Sequence, residues 1–143
     1  MDTLTEEIVK LDENVRVAYL KAFSRLASAD GSFDENERHF IKSLIRKYQI
    51  APAYEDEILN VTDDEAVIEG VKQITNRRVA LELIKELCVL AHADEVLTDE
   101  ETVFIGRVGQ AMGVELDKIE QISNWVIDKI ILAEEAKIIF EEV

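Results

Sequence analysis

Apolar residues recur at three- and four-residue intervals along most of the chain, the spacing that gathers them on one face of an α-helix. Val15, Tyr19, Phe23 and Leu26 form one such face, on a helix expected from about Asp12 to Ala29. Phe40, Ile41, Leu44, Ile45 and Tyr48 form a second, and Leu83, Ile84, Leu87 and Leu90 a third, on a helix expected from Arg77 to Ala93. Trp125 with Ile122, Val126, Ile130 and Ile131 reads most simply as one more core-facing row, with a partner-binding groove as the other reading. No stretch alternates apolar and polar residues for long enough to predict a strand.

Helix starts carry a recurring device, a short oxygen-bearing residue followed three positions later by Glu. It occurs as Asp34 with Glu37, Thr62 with Glu65 and Thr98 with Glu101. In such a capping box the first side chain accepts a hydrogen bond from a free backbone N–H, and the Glu reaches back to the first residue's own N–H. Pro52 suits the first turn of a short helix up to Leu59, where its missing N–H would be unpaired anyway. Gly113 fits the left-handed position after a helix ending at Met112, and Asn76 fits a cap before Arg77. The expected fold is all-α, a compact bundle of about seven or eight helices in one domain over residues 1–143.

Sliding the chain by 64 residues lays the segment from Val15 over the segment from Val79. Lys21 then matches Lys85, Leu26 matches Leu90, and Ala27, Ala29 and Asp30 match Ala91, Ala93 and Asp94. Past the loop, Glu37, Phe40 and Ile41 match Glu101, Phe104 and Ile105. A shared apolar phase explains the helix matches, but not identical loop acids. The expectation is a duplicated helical hairpin, with copies at about 12–60 and 76–124 packed around a pseudo-twofold axis.

The two loops, ADGSFDENE from Ala29 and ADEVLTDEE from Ala93, each place Asp and Glu seven positions apart. The first looks like the second half of an EF-hand loop. An EF-hand needs oxygen ligands at its first and third positions as well. Those positions hold Leu26 and Ser28 in one copy and Leu90 and His92 in the other. Leucine has no ligand atom, so the EF-hand reading fails. Two readings stay open. In one, Asp30, Asp34, Glu37, Asp94, Asp99 and Glu101 supply part of a weak shell for Ca²⁺ or Mg²⁺, completed by water. In the other, the same residues are helix caps and turn acceptors and need no ion.

The ADGxxxxxE loop, its partial copy ADxxxxxxE and the amphipathic helices before them resemble the tellurite-resistance TerB family, over nearly the whole chain. Asp30, Gly31 and Glu37 match the full motif, and Asp94 with Glu101 match its second copy. Glu95 departs from the motif where the first copy has Gly31. The resemblance implies an all-helical cytoplasmic fold with internal pseudo-symmetry, a bacterial stress-response setting and divalent-metal binding by the acids. It also implies an adaptor role, since such domains occur fused to other modules including a J-domain co-chaperone. The implied partner is a protein, membrane-associated in this family.

Charge narrows the choice. The 143 residues carry 31 acids against 16 Lys and Arg, a net charge of −15, which opposes binding to a nucleic-acid backbone or an anionic membrane face. Nearly half the residues are apolar, too many for a disordered acidic tail. The longest uncharged apolar stretch, Leu87 to Ala93, is far below the ~20 residues that span a bilayer. Three acids between Met1 and Leu11 argue against a signal peptide, and a single Cys makes no internal disulfide, so a cytoplasmic location is expected. The charge is uneven: seven basic residues stand against four acids from Arg16 to Lys47, and one against seven from Tyr48 to Thr75. Arg38, Lys42 and Arg46, four apart, make a basic stripe, either a solvated face or a dock for an acidic partner. Cys88 and His92, four apart, would still need further ligands to hold Zn²⁺, and Cys88 reads more simply as a buried small hydrophobe. With no nucleophile–base pair and no Gly-rich phosphate loop, the chain reads as non-catalytic.

Overall fold

Helices α1 (Thr3–Val9), α2 (Glu13–Ala27), α3 (Glu35–Lys47), α4 (Glu55–Leu59), α5 (Asp64–Val71), α6 (Arg77–His92), α7 (Asp99–Ala111) and α8 (Leu116–Ile139) order the chain. The computed structural model describes residues 3–28, 34–92 and 98–142, and among these there is no strand. A 3-10 turn, Pro52–Tyr54, leads into α4, so Pro52 opens that short segment as its chemistry requires.

Two helices organise the core. α2 packs against α3, α4, α5 and α6, while α6 packs in turn against α7 and α8. Leu20 and Ala22 on α2 and Ala80, Leu83, Ile84 and Leu87 on α6 are wholly withdrawn from solvent. Each large side chain so buried is worth roughly 1.5–3 kcal/mol over its exposed state. The period-3.6 rows mark these faces, with two exceptions. Phe40 is 50% exposed, its ring tilted against Phe23 at 5.7 Å, and the row on α8 buries Val126 but leaves Trp125 53% and Ile131 48% exposed. The Trp125 row is therefore only in part a core row. Its helix carries apolar residues around most of its circumference, so periodicity could not tell the packed side from the open one.

Helix boundaries follow local chemistry. Asp34 and Thr98 head full capping boxes with Glu37 and Glu101. Asn76 Oδ1 accepts from Val79 N at 3.1 Å at the start of α6. Gly113, at φ +81°, takes the left-handed position after α7, and Val114 N donates back to Gly109 O at 3.0 Å. The cap of α5 differs from expectation: Asp63, not Thr62, is its N-cap, accepting from Glu65 N at 3.0 Å. Two adjacent capping residue types compete there, and the carboxylate accepts the more strongly.

Boundaries and contacts correspond at the 64-residue offset. Gln49 (φ 55°) takes the left-handed place that Gly113 takes, and Ile50 N donates to Ile45 O as Val114 N does to Gly109 O. Glu13 Oε2 accepts from Ala51 N at 2.9 Å, and at the equivalent positions Arg77 donates to Glu115 at 3.0 Å. Ser24 and Cys88, 64 apart, are both buried, and Ser24 donates to Ile58 O at 2.6 Å. The correspondence stops there. α4 ends at Leu59 and the chain turns into α5, whereas α8 continues to Ile139.

Candidate functional site

The loop acids within the described residues are held by helix caps. Asp34 Oδ1 accepts from Glu37 N at 2.7 Å, and Glu37 Oε1 accepts from Asp34 N at 3.1 Å. In the second loop Thr98 Oγ1 accepts from Glu101 N, and Glu101 Oε1 accepts from Thr98 N, both at 3.1 Å. Each pair satisfies two orphan donors of a helix N-terminus, where the backbone dipole also favours a negative charge. Asp99 opens α7 exposed, with Glu100 beside it in the same first turn. Asp30 and Asp94 lie outside the described residues, as do Gly31 and Glu95.

A divalent ion needs several oxygens converging on one point. Among the described residues, no three His, Cys, Asp or Glu side chains gather in that way. Asp34, Glu37 and Glu101 each accept from a backbone N–H at a helix start.

Helix α3 positions the basic stripe. Lys42 Nζ lies 3.6 Å from Glu55 Oε1, a pair about one-third exposed on both sides. Arg38 is half-buried one turn earlier, and Arg46 is exposed in the last turn, where the helix dipole favours a cation. The end of α3 is held by a residue that sequence reasoning passed over. Arg16 donates to Tyr48 O at 2.9 Å, Gln49 O at 2.8 Å and Leu11 O at 3.0 Å. One guanidinium thus joins the α1–α2 turn to the carbonyls left open at the end of α3. A lone Arg within an amphipathic helix gives no sign of such a task.

The remaining chemistry is quiet. Burial pushes the Cys88 thiol up to about 11, against a hydrogen bond with Ser123 that lowers it, so at neutral pH it is a protonated hydrophobe. His92 ends α6 one turn later. The cleft between α2, α4 and α5 holds about 220 Å³ beside the Lys21–Glu57 ion pair, below the range of ~300–1,000 Å³ usual for small-molecule sites. Burial also raises the Tyr19 hydroxyl well above its ordinary range, with Tyr48, Glu86 and Glu82 adding to the effect.

Fold and site together define an all-α domain in which Asp34, Glu37 and Glu101 are built into helix starts. A family profile described as tellurite resistance protein TerB matches residues 46–124, more than half of the chain, and the chain belongs to that family. The matched stretch begins on α3, includes the second acidic loop and ends one residue before Trp125. Comparison with curated proteins and with solved structures gives no significant match.

Proposed function

We propose that this TerB-family chain is a non-catalytic docking domain of a cytoplasmic stress response, built from one duplicated hairpin related by a pseudo-twofold axis. Its loop acids fix helix starts, and the α3 stripe Arg38, Lys42 and Arg46 engages an acidic protein partner, membrane-associated by family resemblance. The observation that carries this reading is the pair of reciprocal capping boxes, which accounts for Asp34, Glu37 and Glu101 without an ion. The uneven charge adds to it, because a basic helix on a chain of net charge −15 orients an acidic partner toward that face. The test is capture of a cellular partner by the tagged chain. Asp30→Asn should leave capture intact, and reversal of Arg38 and Lys42 to Glu should weaken it at least about tenfold. Equal capture by the reversed variant would sink the docking role of α3.

A second reading keeps a weak Ca²⁺ or Mg²⁺ site at the loops. It is favoured by one observation: each cap uses a single carboxylate oxygen, Oδ1 of Asp34 or Oε1 of Glu37 and Glu101. Titration of Ca²⁺, Mg²⁺ or Mn²⁺ followed by amide NMR separates the two. Saturable shifts confined to residues 30–37 and 94–101, and lost in Glu37→Gln, would establish the ion site. Small shifts spread over all acidic surfaces would leave the caps as the whole account.

A further inference from the structure

The end of α8 presents a face that the packed core does not use. Trp125, Leu132 and Ile139, seven apart, are 53%, 65% and 68% exposed and lie on one line of the helix, with Ala136 between the last two. Ile131 and Ile138, also seven apart, make a second exposed line. Between the two lines run Asp128 and Glu135, both exposed. At 100° per residue, the acids fall within about 60° of each apolar line, so the face reads apolar, acidic, apolar. Lys129 is turned over the Trp125 ring at 5.3 Å, on the far side of that line from the acids.

We propose that this face binds a cationic amphipathic helix of another protein. Lys or Arg heads would meet Asp128 and Glu135, while their aliphatic stems and the partner's apolar side chains cover Trp125, Leu132, Ile131 and Ile138. Charge selects this occupant. A second copy of the chain would bring its own central acid row, and a further −15, against Asp128 and Glu135. An anionic lipid surface is opposed by the same acids. This surface is separate from α3 and asks for the opposite charge in its partner, so the two proposals stand or fall independently.

Trp125 is the chain's single tryptophan and reports directly on the face. The probe is a synthetic helix of about 20 residues, long enough to hold helical structure, made of Leu on one face and Lys on the other. Saturable one-to-one binding to the full chain is expected, with a blue shift of Trp125 emission. Leu132→Asp should weaken it at least about tenfold although it adds an acid, and Glu135→Lys should weaken it similarly. Both side chains are exposed, and far-ultraviolet circular dichroism checks that each variant is folded. Undiminished binding to Leu132→Asp would reduce the effect to bulk attraction and overturn the proposal. Equal binding of a Leu/Glu helix would overturn it too. So would a Trp125 shift produced by phosphatidylcholine vesicles but not by the Leu/Lys helix, or sedimentation as a dimer that Leu132→Asp dissociates.

Discussion

A methyl carbon added at Gly109 would stand 2.5 Å from Ile119 Cδ1, 2.9 Å from its Cγ1 and 3.3 Å from Ile84 Cδ1. Gly109 on α7 faces Ile119 on α8, and Ile119 is itself buried, with little room to yield. Overpacking of this kind costs about 1–3 kcal/mol, more than the ~0.5–1 kcal/mol a helix gains from Gly→Ala. Gly109→Ala is therefore expected to lower stability by about 1 kcal/mol in urea unfolding. Gly106→Ala, one turn earlier with nothing within 4 Å, should raise it by about 0.5–1 kcal/mol. The same residue type gives opposite signs because only one of the two is a packing contact: Gly109 falls one turn after buried Ile105, on the core-facing row, and Gly106 falls off it. Glu86 offers a second contrast at this scale. Burial raises its carboxyl, Lys85 opposes the shift and Glu82 adds to it. Its value in the folded state thus lies above that of the unfolded chain. The stability tied to its protonated form is complete below the ordinary value of 4.5 and is lost as pH rises through the raised value. Glu86→Gln should match the parent chain in acid and melt at a higher temperature near pH 7, as thermal scans across that interval would show.

At the scale of elements, the caps make the sharpest predictions. Asp34→Ala and Thr98→Ala each remove an acceptor and leave a helix N–H unpaired, at a cost of about 1 kcal/mol. Glu37→Gln, which keeps an oxygen for Asp34 N, should cost less than Glu37→Ala in the same melts. Caps were legible in the sequence because they depend on residues three positions apart. Where two candidates adjoin, as at Thr62 and Asp63, the choice turned on acceptor strength rather than on pattern. The contacts that join elements were not legible. Arg16 reaches Tyr48 and Gln49 across more than thirty residues, and Ser24 finds the Ile58 carbonyl at a similar separation. Neither pair has a spacing that local chemistry could reveal. Glu13 with Ala51 and Arg77 with Glu115 lie 64 residues apart but join by different chemistry, a carboxylate on a backbone N–H in one and a guanidinium on a carboxylate in the other.

For the molecule as a whole, the excess of acids decides how salt acts. Ion pairs such as Lys72–Glu69, Arg77–Glu115 and Lys137–Glu134 have both partners at least half exposed, and pairs of that kind are worth ~0–1 kcal/mol each. Self-repulsion of a net charge of −15 acts on the folded chain at longer range. Raising NaCl from about 10 mM to 150 mM shortens the Debye length from about 30 Å to 8 Å. Long-range repulsion is screened more than contacts at 3 Å, so the melting temperature is expected to rise with salt. A fall would mean that the ion pairs outweigh the repulsion. The same measurement weighs the two readings of the loops. If their acids serve only as caps, CaCl₂ and MgCl₂ should stabilise the chain to a similar degree as one another, without a saturation point, and Glu37→Gln should respond as the parent does. A bound ion instead gives a rise that saturates as RT ln(1 + [L]/Kd) and favours one cation by its coordination number. Loss of that saturating component in Glu37→Gln, with the smooth salt response kept, would place the ion at the first loop and move Glu37 from helix cap to ligand.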